Sequence, residues 1–210
     1  MTTRARRGLP VVVERRLGEI HAAQLTAESA LTNKVLREGS TTCKAGCSNC
    51  CYYPRYISPF EGLLLYRGLA EKGRWTPKLR DRVVAHAALT AGLSMQVWYL
   101  STIACPLLED NRCVAYRSRP LICRLTLSRK DPALCHPHQY DGRYALPQED
   151  FSVELKAFRE LEAQVHVQQG IRITLSGLSQ SLLVAEKLQT GVIDLARVDF
   201  EQFLLAGGSQ

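Results

Sequence analysis

The sequence contains no run of about 18 consecutive apolar residues, the length a helix needs to cross a bilayer, so no stretch reads as a membrane span. It also lacks the apolar core of an export signal, because Val11 to Val13 is cut short by Glu14. There is no glycine-rich phosphate loop, no G-x-S-x-G elbow and no H-E-x-x-H pair, which removes three common routes to a nucleotide enzyme, a serine hydrolase or a zinc protease. Internal repeats and low-complexity tracts are absent as well. The missing leader sets the expectation of a cytoplasmic protein, in which cysteines stay reduced and a disulfide framework is not the reading.

What the chain does have is ordinary in bulk and unusual in one place. At 210 residues it is long enough to bury a core, and 46% apolar against 22% charged residues excludes disorder as the main state. Its net charge of +7 is uneven: residues 1–100 carry +8 and residues 101–210 carry −1. A basic first half can meet an acidic partner, nucleic acid included, although solvated helix faces account for most such patterns. The unusual feature is the eight cysteines, four of which fall in the nine residues CKAGCSNCC as Cys43, Cys47, Cys50 and Cys51. Three more follow in CPLLEDNRCVAYRSRPLICR as Cys105, Cys113 and Cys123, with Cys135 beyond them.

Thiols this dense in a reducing compartment are soft metal ligands. A closed zinc site and an all-cysteine iron–sulfur cluster each need four. Seven in two motifs therefore fit either one centre with thiols to spare or two sites. Cys47-Ser-Asn-Cys50 lets one loop supply two ligands, whereas adjacent side chains tend to diverge, so that one of Cys50 and Cys51 is expected to face a second metal or to stand aside as a non-ligand. The spacings among Cys105, Cys113 and Cys123 are too wide for a zinc knuckle, so the fold must bring them in. The two segments are expected to converge on one locality.

Around them the pattern is mainly α, with helices surrounding irregular cysteine loops. Leu17, Ile20, Leu25, Leu31 and Val35 recur at helical spacing between Pro10 and Glu38, and Gly39 closes that helix. Ser58-Pro59-Phe60-Glu61 and Thr76-Pro77 are helix starts, predicting helices to about Lys72 and about Ala91. Met95 to Ile103 is either a strand or a short buried helix. Residues 104–147 show little periodicity and are expected to be ordered by ligation. Helices follow over Pro147–Gln169, with Phe151, Leu155, Phe158, Leu161 and Val165 on one face, and over Leu178–Leu188 and Val198–Leu205. Residues 1–9 read as a basic arm and 10–210 as one helical domain with its cysteine core at 43–135. No sheet beyond a hairpin is expected.

The three cysteine pieces, CKAGCSNCC, CPLL and C-x2-Y-x2-RP-x2-CR, resemble the YkgJ family of cysteine-cluster proteins over Cys43 to Arg124, about two fifths of the chain. The resemblance implies a zinc- or iron-chelating domain with Cys43, Cys47, Cys50, Cys51, Cys105, Cys113 and Cys123 as ligands. It leaves Cys135 outside the motif. Tyr116, Arg119 and Arg124 share the second motif; the two arginines suit charge balance and N–H donation toward sulfur. A related branch, the flagellin lysine N-methylases, implies methyl transfer, but this chain is much shorter, so whether it is an enzyme stays open.

His136 and His138 beside Cys135 are further ligand candidates, though loop histidines are more often solvated. Cys43, Cys47 and Cys50 also imitate the C-x3-C-x2-C signature of radical S-adenosylmethionine enzymes, without the strand–helix alternation their barrel needs. The reading is a cytosolic metal-binding protein with zinc or an iron–sulfur cluster as cofactor. The alternatives are a small metalloenzyme related to the methylases and a zinc-stapled module associated with nucleic acid.

Overall fold

The computed structural model describes residues 9, 11–39, 41–44, 46–135, 150–169 and 175–193. Within them the chain is mainly α: helices α1 (Val11–Arg37), α2 (Pro59–Glu71), α3 (Pro77–Thr90), α4 (Met95–Leu100), α5 (Leu121–Leu125), α6 (Ser152–Gln169) and α7 (Leu178–Gln189). Four two-residue strands complete it. Strands β2 (Leu108–Glu109) and β3 (Arg112–Cys113) form a hairpin, while β1 (Tyr56–Ile57) pairs antiparallel with the distant β4 (Ser176–Gly177). The expectation that no sheet exceeds two strands agrees with this.

Helix starts follow the local chemistry. Ser58 accepts from the Glu61 amide while the Glu61 side chain accepts from the Ser58 amide, and Pro59 occupies the first turn. Thr76 caps α3 in the same way through the Leu79 amide. The undecided stretch at 95–103 resolves as the short helix α4, capped by Ser94. Only Trp98 and Tyr99 of α4 are buried, and Met95, Val97 and Leu100 point outward. The Pro147 start, the last helix expected at 198–205, and residues 1–8 of the arm expected at 1–9 lie outside the described residues.

Helix α2 is the central element, packed mainly on α7, while α1 lies on α6 and α5 and α3 lies on α7. Two glycines set how closely α2 approaches its neighbours. A Cβ at Gly62 would stand 2.8 Å from the Ser181 carbonyl of α7, and one at Gly68 would overlap the Ser118 side chain. Leu17, Ile20, Leu31, Phe60, Leu63 and Phe158 are among the side chains closed off from water in the core between these helices. One expected core residue is corrected: Leu25 of α1 is 47% exposed, and its neighbour Gln24 is buried instead. Gln24 turns inward because its amide donates to Glu61.

That contact belongs to a buried polar knot. Glu61 accepts from Gln24, the Ser58 amide, the Leu121 amide at 2.8 Å and Arg159 at 3.1 Å. Glu162 of α6, also buried, accepts from the Ser58 hydroxyl and from Arg159. Four segments, α1, the start of α2, the start of α5 and α6, thus meet on two carboxylates, and the start of α5 belongs to the second cysteine segment.

Residues 104–135 are more structured than their weak periodicity predicts. Leu107, Ala115, Leu121 and Leu125 join the core, and the β2–β3 hairpin, 3-10 turns at Tyr116–Ser118 and Pro132–Cys135, and α5 lie among them. Ordering here has an apolar component in addition to whatever ligation supplies.

Candidate metal centre

The first cysteine loop is a series of tight turns. The Cys47 amide donates to the Lys44 carbonyl at 3.0 Å and the Cys51 amide to the Ser48 carbonyl at 2.8 Å, the second opening a 3-10 turn over Asn49–Tyr52. The second segment is stitched directly to it, since the Cys105 amide donates to the Cys51 carbonyl at 2.7 Å. Cys113 comes from β3, and Cys123 from α5, where its amide bonds the Pro120 carbonyl. The stretch around Ser128 closes the other side: the Thr42 amide donates to the Ser128 carbonyl and the Ser128 amide to the Cys43 sulfur at 3.3 Å. The Tyr53 hydroxyl holds the Cys135 carbonyl at 3.0 Å, and Asn49 holds that of Pro132. The two segments therefore meet in one place, as expected from the sequence.

All eight cysteines are free thiols. They fall into two groups by what surrounds them. Cys50, Cys51, Cys105, Cys113 and Cys123 lie within electrostatic reach of one another and of Arg55 or Arg119. Cys135 instead senses Cys43, Cys47 and Cys50, and bonds Ser128. His136 and His138 lie outside the described residues.

Burial pushes the Cys105 and Cys113 thiols up, and that of Cys123 up to about 12, because a thiolate away from water lacks solvation. Cys50 departs in the other direction, to about 6: the Cys51 thiol donates to its sulfur, and, against the effect of burial, Arg55 and Arg119 favour its thiolate. Giving that bond holds the proton on Cys51, which burial raises further. Burial alone would depress the Arg55 guanidinium, but the sulfurs of Cys123, Cys50, Cys51 and Cys105 outweigh it and its pKa is raised.

Arg55 is the residue the sequence reading passed over. It is 7% exposed, its Nη2 donates to the Cys50 carbonyl at 2.9 Å, and no carboxylate pairs with it among the described residues. Its position four residues after Cys50-Cys51, between Tyr53 and Tyr56, was the available signal. The arginines singled out from the second motif are placed differently. Arg124, 5% exposed, pairs with Glu28 at 2.5 Å and donates to the Arg117 and Arg119 carbonyls, bracing the loop. Arg119 also reaches Glu28, at 3.0 Å, and lies 4.0 Å over the ring of Tyr116, which is itself exposed. It nevertheless contributes positive charge at Cys50, Cys113 and Cys123.

The donor set suits a soft or borderline cation: several half-buried cysteines, two guanidiniums to offset thiolate charge, and flanking backbone amides. Among the described residues, no three Cys, His, Asp or Glu side chains already surround a single point as a metal's ligands would. Each sulfur is one rotatable bond from the backbone, so gathering them is a matter of rotamers.

Residues 42–142, just under half the chain, match the model of the CxxCxxCC family, described as "Putative zinc- or iron-chelating domain". The matched stretch contains all eight cysteines. No curated protein matches the chain, and no solved structure does.

Proposed function

We propose that this chain is a metal-binding protein that holds zinc or an iron–sulfur cluster between its two cysteine segments. Its ligands are drawn from Cys43, Cys47, Cys50, Cys51, Cys105, Cys113 and Cys123, the four that act on Arg55 (Cys50, Cys51, Cys105 and Cys123) forming the inner set. The observation that carries this reading is Arg55 itself. A guanidinium taken out of water without a counter-charge costs on the order of several kcal/mol, and the groups that favour the charge of this one are cysteines of both segments. Neutral thiols do not offset that cost; thiolates do. A bound cation supplies the means, because ligation drives the proton off each coordinating sulfur. Cys50, already inclined to ionise, is the natural first ligand. The motifs' resemblance to the YkgJ cysteine-cluster family supports the same conclusion, and a reducing compartment such as the cytoplasm is where eight free thiols would serve it.

A bound metal would contribute coordination energy to the fold and, if iron–sulfur, one-electron chemistry. This chain's own part is to bring the sulfurs together, to exclude water from them and to balance their charge. Methyl transfer and nucleic-acid binding have no comparable observation behind them. Anaerobic purification followed by metal and acid-labile sulfide analysis tests the proposal. Stoichiometric zinc without colour, or iron with sulfide and visible charge-transfer absorption, is the expected result. A folded protein that retains neither, and takes up neither zinc nor reconstituted iron and sulfide, would refute it.

A further inference from the structure

We propose that Arg55 is a positioning residue that couples occupancy of the metal centre to the seating of α7, an inference that rests on the metal-binding reading above. The two ends of this residue face different parts of the molecule. Its guanidinium reaches into the first cysteine loop, where Nη2 donates to the Cys50 carbonyl at 2.9 Å. Its backbone carbonyl accepts the Leu178 amide, the first N–H of α7, at 2.8 Å. The residue preceding that helix, Gly177, has no side chain with which to cap it. The Arg55 carbonyl therefore takes over one of the orphan donors that a cap would satisfy.

The next two residues continue the connection. Tyr56 and Ile57 pair with Gly177 and Ser176 in β1–β4, a ladder of two residues per strand that is too short to hold itself together. Tyr56 also meets Trp98 of α4 edge-on, with ring centroids 5.4 Å apart, and Trp98 lies against Gly177. Whatever fixes Arg55 thus fixes the ladder, the start of α7 and the inner face of α4. With the centre filled, ligation fixes the loop that carries Cys50, and the Cys50 carbonyl holds the guanidinium where it lies. With the centre emptied that loop loses its anchor, and a displaced Cys50 carbonyl draws Arg55, and with it the carbonyl bonded to Leu178, out of place.

The test is hydrogen exchange on the full chain, purified anaerobically, compared as loaded and chelated protein, together with R55K and R55M. Chelation of the wild type is expected to speed exchange at the Leu178 amide and across 176–182 by at least about tenfold, while peptides from the middle of α1 keep their protection. Loaded R55M should show the fast exchange of the chelated wild type and give up its metal to a competing chelator at least about tenfold faster; R55K, which keeps the charge, should recover part of both. Unchanged exchange at 176–182 on chelation, or R55M indistinguishable from wild type in both readouts, overturns the proposal while leaving metal binding intact. A wild type that takes up no metal overturns both. Should R55M not fold, R55K and the wild-type comparison still decide the question.

Discussion

Replacing Glu162 by glutamine should stabilise the protein at neutral and alkaline pH and do little in mild acid. Glu162 is buried on α6 against Glu61, and burial, with the neighbouring carboxylate, raises its pKa from an ordinary 4.5 to about 7 in spite of Arg159 and Ser58. A group whose folded pKa is raised contributes stability that is fully present below its unfolded value and is lost as pH rises to the folded one. The window is therefore pH 4.5 to about 7, and at about 1.4 kcal/mol per pH unit the loss is of the order of 3 kcal/mol. Glutamine carries no charge to lose. Its carbonyl can accept from Arg159 and its amide can donate to the Ser58 hydroxyl, so both hydrogen-bond positions stay filled. E162Q should match the wild type at pH 5 and exceed it by up to about 3 kcal/mol at pH 8, roughly 6–12 °C in Tm for a chain of this size. Urea unfolding of both proteins side by side at each pH is the assay, since any pH dependence of metal binding is common to the pair. A variant no more stable at pH 8, or one offset equally at both pH values, would refute the reasoning.

Three further outcomes are expected. G68A should destabilise by about 1–3 kcal/mol, because its Cβ would overlap Ser118 and push the second cysteine segment off α2; the double variant G68A/S118G should recover most of that in the same urea titration. R124M should cost about 3 kcal/mol, since it leaves two carbonyls without their donor and Glu28 with Arg119 alone, and R124K, lacking the planar fork, should not restore it. Strong chelation should raise hydrogen exchange in the cysteine loops, at 43–51 and 105–123, before far-UV circular dichroism shows loss of the helices, whose apolar faces are independent of metal; unchanged protection in those loops would mean that packing alone holds them.

Helix α2 was legible almost residue by residue, because Ser58, Pro59 and Glu61 each have a local reason to be where they are. The ends of α1 and α3 were legible within one or two residues for the same reason. The stretch from Met95 defeated periodicity because six residues give less than two turns to sample, and three of its apolar side chains face outward. The burial of Gln24, Glu61 and Glu162 is not displayed by the sequence, since their long-range partners lie 37 to 104 positions away and only the fold brings them together. The cysteines announced themselves by density. Arg55 did not: a single arginine beside a tyrosine pair carries no spacing signal, and its importance lies in the absence of a carboxylate, which a linear sequence does not display. The two arginines that did stand out belonged to a motif, yet both are shared with Glu28 of α1, a contact of the same long-range kind.

The pairing of Tyr56 with Gly177 has a consequence for the growing chain. At about 5–20 residues per second of synthesis, the roughly 120 residues that separate these partners take on the order of ten seconds to appear. Throughout that interval Arg55 and the first four thiols have been made while the strand that anchors them has not. Cys105, Cys113 and Cys123 emerge about midway, before α7 exists to seat the ladder. The nascent protein therefore passes through a period in which its sulfurs are open to whatever metal or oxidant is at hand. Delivery of the metal during that period, or protection of the thiols until it ends, would govern how much of the protein matures correctly.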